Sequence, residues 1–255
     1  MSNQRWDGAS YDRVSNIQQE WAAAIIARLE LEGSETVLDA GCGSGRVTEQ
    51  LLEALPRGRV IAVDASPSMV EAARERLLGD PANEGRVAVE LVDLVDLDLD
   101  EPVDAVFSSA TFHWIRDHER LFARMHAALR PGGRLVAQCG GEGNIAGLRG
   151  RVARVMAREP YAGHFAGWEP PWNYAGAQES ERLLTAAGFD RVRCWLAEAP
   201  SVPNEPREFL STIVFGPHNQ RLPQELREPF MDDVMATLGD DVTIDYVRLN
   251  IDAVA

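Results

Sequence analysis

Val37-Leu38-Asp39-Ala40-Gly41-Cys42-Gly43-Ser44-Gly45 decides the fold. Thr36 to Ala40 reads as a short buried strand. Three alternating glycines then make a tight turn, and Val47, Leu51, Leu52 and Leu55 give one face of a following helix. A glycine turn between strand and helix lets a ligand approach the backbone, while the helix N-terminus offers amides and the positive end of its dipole. Nineteen residues past Gly45, Asp64 ends the next strand. A carboxylate there can accept both hydroxyls of a ribose.

Two ligand classes compete for such a turn. A dinucleotide site wants G-x-G-x-x-G, its third glycine allowing close helix–strand packing. Here the third glycine comes one residue early, and Arg46 holds the place that pattern reserves. Asp39, two residues before Gly41, would repel a pyrophosphate but attract an ammonium group. S-adenosylmethionine carries an ammonium, a sulfonium and a ribose, and the spacing favours it. The bland reading of Asp39, a helix cap, is the weaker one beside these glycines.

Outward from the turn, strand-length and helix-length segments alternate. Upstream, Ile17, Trp21, Ile25 and Leu29 recur every four residues, an amphipathic helix closed by Gly33. Downstream, Arg59 to Val63 is a strand, and Ser66-Pro67 opens a helix through Met69, Val70, Ala73 and Leu77. Arg86 to Val92 and Val103 to Ser108 are strands. Leu121, Met125 and Leu129 mark a helix stopped by Pro131-Gly132-Gly133, and Arg134 to Cys139 is a fifth strand. The alternation predicts an α/β fold of βαβ units, doubly wound, with helices on both faces of a mostly parallel sheet.

Beyond Cys139 the rhythm changes. A helix is predicted from Ile145 to Ala157. Tyr161 to Tyr174 then holds Tyr161, Phe165, Trp168, Trp172 and Tyr174, five of the chain's 18 aromatics. They suit a mobile apolar lid over a small acceptor, or in part a satellite core. A helix from Glu179 to Ala187, a strand from Val192 to Leu196, a proline-punctuated helical stretch from Pro203 to Leu238 and a strand from Thr243 to Ile251 complete the reading.

The 255 residues carry 25 basic side chains, all arginine, against 40 acidic ones, a net charge of −15. Without lysine, Schiff-base chemistry, a P-loop lysine and a Tyr-x-x-x-Lys dyad are excluded. The acidic surface argues against nucleic acid, which needs a basic one. Cys42, Cys139 and Cys194 form no C-x-x-C pair, suiting a reducing compartment, and His113 with His118 lacks metal-pair spacing. Cys42 has no base beside it and is no nucleophile candidate. No apolar run approaches a membrane span, and the polar start lacks the apolar core of a signal peptide. A cytoplasmic protein is expected, a monomer or homodimer, with neither metal nor membrane partner.

The run Val37 to Gly45 closely resembles the first motif of class I S-adenosylmethionine-dependent methyltransferases. Asp64 matches that family's ribose-holding acid at the end of strand 2. Leu91-Val92-Asp93-Leu94 resembles its third-strand motif, Ser108-Ser109-Ala110-Thr111-Phe112-His113-Trp114 its fourth-strand exit, and Leu129-Arg130-Pro131-Gly132-Gly133-Arg134-Leu135 the loop before strand 5. These five motifs span roughly Tyr11 to Asn144. Phe112-His113-Trp114-Ile115 with Asp117-His118 most resembles the trans-aconitate methyltransferase-like branch, which methylates small acids.

The resemblance implies a Rossmann-like, seven-stranded sheet with a small helical and aromatic cap, in one methyltransferase domain. Residues 1–32 would form an N-terminal helical cover, 33–142 the cofactor core, 143–177 a lid insertion, and 178–255 the completion of the sheet with a helical insertion at 203–240. It places S-adenosylmethionine against Tyr11, Gln18, Asp39, Gly41, Gly43, Asp64, Ala65, Met69, Asp93, Leu94 and Ser109. Asp93 would take the adenine amino group and Leu94 the ring; its acid-rich surroundings equally suit a solvated loop, and Met69 equally suits helix core. The acceptor is placed against His113, Trp114, Tyr161, Trp168 and Trp172.

A carboxylate acceptor, already ionised, needs no general base. A hydroxyl or carbon acceptor needs one, and His113 is the nearest candidate, with a purely pocket-shaping role as its alternative. The expected activity is methyl transfer to a small organic acceptor, on a carboxylate or hydroxyl oxygen. The other classes are a nicotinamide-dependent oxidoreductase and a non-catalytic S-adenosylmethionine-binding protein.

Overall fold

Thr36–Ala40 forms β1 at the centre of a seven-stranded sheet in a computed structural model of the protein, which describes residues 16–239 and 242–255. Valine and leucine at successive positions bury both faces of this strand. Val37 packs with α1 (Asn16–Arg28), α2 (Arg46–Ala54) and α3 (Pro67–Leu78), and Leu38 packs towards α4 (His118–Ala128) and α7 (Ala177–Ala186). A strand apolar on both sides belongs in the middle of a parallel sheet, covered by helices on both faces.

β2 (Arg59–Asp64) and β3 (Val87–Leu91) lie on one side of β1, and β4 (Val103–Ser109) and β5 (Leu129–Gly140) on the other, all parallel. β7 (Val247–Val254) runs antiparallel between β5 and β6 (Asp190–Glu198), giving the order β3-β2-β1-β4-β5-β7-β6. The direction of winding reverses between β1 and β4, so a crevice opens beyond their carboxyl ends. Arg28 at the end of α1 donates to the Asp252 carboxylate at 3.0 Å and to the Asn250 side chain at 3.0 Å, fastening α1 to β7.

The remaining helices share a third apolar cluster. α5 (Ala146–Met156) contributes Leu148, Val152 and Val155, and the short α6 (Ala162–Phe165) contributes Phe165. Opposite them stand Phe209, Leu210, Phe215, Phe230, Met231 and Val234, from α8 (Pro206–Phe209), a π turn (Leu210–Val214), α9 (Gly216–Arg221) and α10 (Gln224–Leu238).

Three elements differ from the sequence reading. The stretch 203–238 is four pieces because Pro217 starts α9 without an amide to donate, and Pro223 keeps Leu222 out of helical geometry. β5 begins at Leu129 rather than Arg134, since Leu129 pairs with Val103 and the Gly132 and Ala255 amides bond across to Ala255 and Gly133 carbonyls. The last strand begins at Val247 because the Asp245 carboxylate instead accepts the Gly147 amide at 2.7 Å, capping α5. None of the helices among the described residues is long and apolar enough to cross a membrane.

Candidate active site

The glycine turn is shaped by its neighbours. Gly41 has φ +89°, and a Cβ there would lie 2.2 Å from the Thr111 side chain. Thr111, just past β4, reaches over the turn and donates its hydroxyl to the Gly41 carbonyl at 3.1 Å. Ala110 takes the left-handed conformation, φ +56°, while its amide bonds the Gln138 carbonyl at 2.7 Å. Left-handed backbone at a residue with a Cβ is uncommon and held by its surroundings. Here it turns the chain so that Thr111 closes on β1. Gly45, φ +84°, lies against Leu77 of α3, which explains why the third glycine falls where it does. A Cβ at Gly43 would meet open space.

A cavity of about 810 Å³ opens above this turn, within the usual 300–1,000 Å³ range of small-molecule sites. The carboxyl ends of β1, β2 and β3 each bring an acid to it. Asp39 is 1% exposed, and its Oδ2 accepts the Thr48 hydroxyl at 2.7 Å. Burial pushes its carboxyl up to about 7 against the pull of Thr48, with the Asp64 charge adding to the rise. Asp64 accepts the Gly43 amide at 3.0 Å and the Ser66 amide at 2.8 Å, one on each oxygen, and burial raises its pKa as well. Asp93 caps the next turn through the Val95 amide and lines the same wall.

These features fit S-adenosylmethionine. A buried acid lining the cavity would be stabilised in its ionised form by the cofactor's ammonium group. The Asp64 carboxylate, with about four lone-pair sites for the Gly43, Ser66 and Ala65 amides, keeps acceptor capacity for a ribose hydroxyl. Met69, Val92 and Leu94 supply apolar wall for a ring.

The structure brings together at this cavity Asp39, Gly41, Gly43, Asp64, Ala65, Met69, Asp93, Leu94, Ser109, Trp114 and Trp168. Tyr11 and the side chain of Gln18 lie outside the described residues.

Three expected acceptor contacts stand elsewhere. His113 does not line the cavity: its Nδ1 accepts the Gly140 amide at 3.3 Å, and burial, with the Arg248 and His118 charges, pushes it down to about 3. A buried ring of lowered basicity, engaged by the β5 backbone and packed on Trp114, fits the pocket-shaping alternative better than the general base. Tyr161 is 2% exposed and donates to the Asp233 carboxylate at 2.8 Å, edge-on to Phe230 in the third cluster. Trp172 stacks on Tyr174 and packs on Trp114, behind the wall instead of in it.

The sequence reading had not assigned Arg46, Arg116, Gln220 and Arg221 to the site, and all four line the cavity. Arg116 adjoined the His113-Trp114 motif, a usable signal. Gln220 and Arg221 had none, since α9 reaches the cavity only through packing of the third cluster.

The sequence of residues 37–133 matches the methyltransferase domain family. A protein of Variovorax paradoxus named trans-aconitate 2-methyltransferase is 35% identical over 89% of this chain and 86% of its own length. An uncharacterised methyltransferase of Schizosaccharomyces pombe is 30% identical over 84% of this chain and 82% of its own. The solved structure of the YcgJ protein of Bacillus subtilis shares the fold, with a TM-score of 0.64 at 15% identity, covering 92% of this chain and 97% of that one.

The sheet order, the acid-floored glycine turn and these likenesses together place the chain in the class I S-adenosylmethionine-dependent methyltransferases. Within that class it belongs to the trans-aconitate methyltransferase-like branch.

Proposed function

We propose that this methyltransferase esterifies a small organic acid, transferring the methyl group to a carboxylate oxygen. The carrying observation is the distribution of charged groups along this cavity. Asp39, Asp64 and Asp93 gather at the strand ends, while Arg116 and Arg221 stand against the 164–170 segment, among Trp114, Trp168 and Pro171. The acidic end suits a cationic cofactor and the arginines suit an anionic acceptor. Relatives named trans-aconitate 2-methyltransferase support the same acceptor class.

When bound, S-adenosylmethionine supplies an electrophilic methyl group on a sulfonium. The chain's own work is then alignment and exclusion of water. Asp39 and Asp64 orient the cofactor, and Trp114 and Trp168 wall the acceptor end. An ionised carboxylate has no proton to lose, which agrees with the placement of His113 outside the cavity. A hydroxyl acceptor would need a base there.

The test is a screen of small organic acids with methyl-deuterated cofactor, read by mass spectrometry before and after mild alkali. A base-labile methyl ester is expected. A methyl group that survives alkali, on nitrogen, carbon or an alcohol oxygen, would overturn the reading.

A further inference from the structure

Thr48, the third residue of α2, is fully buried, and its hydroxyl donates to Asp39 Oδ2 at 2.7 Å. A threonine within a helix commonly turns its hydroxyl back to the carbonyl four residues earlier. Here that carbonyl belongs to Ser44, and it accepts the Arg76 guanidinium of α3 at 3.0 Å. The Thr48 hydroxyl is turned towards the sheet instead.

The surroundings of Asp39 are otherwise unfriendly to a charge. Its partners in register on either side, Ala62 and Phe107, are apolar and fully buried. Asp64 at the end of β2 adds negative charge, and the Cys42 thiol of the turn is itself pushed up by burial and stays neutral. On α2, Arg46 lines the cavity and Glu49 pairs with Arg76 at 3.3 Å. Against burial and the Asp64 charge, the Thr48 hydrogen bond favours the ionised carboxylate.

The bond commits one oxygen of the carboxylate to the helix and leaves the other for a ligand. Resting on the reading of Asp39 as the partner of the cofactor's ammonium group, we propose that Thr48 is a positioning residue for the cofactor, its hydroxyl holding Oδ2 so that Oδ1 meets that ammonium. Thr48 itself does not line the cavity, so it acts only through Asp39. Two consequences separate this role from simple packing. Loss of the bond shifts the pH dependence of cofactor binding, because the bond favours one protonation state over the other. A ligand without an ammonium group is indifferent to it.

The experiment titrates the full chain and its variants by calorimetry from pH 6 to 8.5 with two ligands. One is S-adenosylhomocysteine; the other is 5′-methylthioadenosine, which keeps the adenine and ribose but carries no amino acid. Thr48→Val retains the shape of the side chain and removes the donor. It should raise the pH at which S-adenosylhomocysteine affinity is half its alkaline plateau by about one unit. Binding is then about fivefold weaker at pH 7 and less than about twofold weaker at pH 8.5. Affinity for 5′-methylthioadenosine should stay within about twofold of wild type, which also certifies the fold. Thr48→Ser, with the hydroxyl kept, should recover the wild-type profile. In an Asp39→Asn background Thr48→Val should cost at most about twofold, because the group through which it acts is already gone.

Equal losses for both ligands, a loss that is the same at every pH, or full additivity with Asp39→Asn overturns the role of Thr48 while Asp39 keeps its own. A wild-type profile flat from pH 6 to 8.5 removes the Asp39 reading and this one with it. Carboxylate methylation stands in either case. Should circular dichroism show Thr48→Val unfolded, Thr48→Ala is read in its place against the same outcomes.

Discussion

At Gly41 two demands coincide, a left-handed backbone and the Thr111 side chain 2.2 Å from where a Cβ would sit. Gly43 carries the first demand only, with φ +55° and open space beside it. Gly41→Ala is therefore expected to destabilise the protein by more than the roughly 1 kcal/mol of a strained Gly→Ala change, and Gly43→Ala by about that amount. Urea denaturation of both variants checks the order; equal losses would remove Thr111 from the explanation. Asp64 braces the turn and lines the cavity; with the ribose role proposed for it, Asp64→Ala should weaken S-adenosylhomocysteine binding by about 1.5–3 kcal/mol in calorimetry. Asp39, pushed up to about 7, is partly protonated near neutrality in the absence of a cation. A ligand ammonium favours its ionised form, so cofactor binding should release a proton and weaken as pH falls below about 7. Asp39→Asn, with nothing to titrate, should show lower affinity that is flat from pH 6 to 8. A wild-type profile equally flat would contradict the role.

At the scale of elements, the aromatic segment 161–174 divides its work. Tyr161 and Phe165 belong to the third cluster, and Trp168 touches both that cluster and the cavity. Tyr161→Phe should cost about 1 kcal/mol of stability through the lost bond to Asp233, with the acceptor KM unchanged. Trp168→Ala should lower Tm and raise the acceptor KM together. A KM effect in Tyr161→Phe would return that residue to the site. The clustering of five aromatics was visible in the chain, but which of them face inward depends on α9 and α10, roughly fifty residues downstream.

Across the whole molecule, buried titratable groups oppose one another. Burial pushes His218 and His113 each down to about 3. Between about 3 and 6.5 the unfolded chain binds more protons at these positions than the native one. Their contribution is thus complete above about 6.5 and is lost as pH falls through that window. Asp39 acts with the opposite sign, holding a proton in the native state between 3.8 and about 7, where the unfolded chain has lost it. Burial lowers His118 as it does the other two histidines and raises Asp64 as it does Asp39, so three histidines against two aspartates predict net loss of stability towards acid. His218 sits among aromatic rings and its Nδ1 has no hydrogen-bond partner. His218→Phe should therefore raise Tm at pH 7 and flatten its decline between pH 6.5 and 4. Thermal melts with wild-type slope would show that the ring is solvated in the native state.

The sequence by itself determined the sheet, the order of helices and strands through β5, and the acids at the ends of β1, β2 and β3. These are local facts: apolar periodicity sets each element, and glycines with a following helix mark where a ligand meets the backbone. The outer wall of the cavity, by contrast, was set only by tertiary packing. His113 left the wall because the Gly140 amide takes its nitrogen, and Tyr161 because Phe230 and Asp233 enclose it. Arg221 entered because a buried proline and histidine fix the rotation of α9. Such placements depend on packing between segments far apart in the chain, and no local pattern of residues encodes the direction in which a packed helix turns its last side chain.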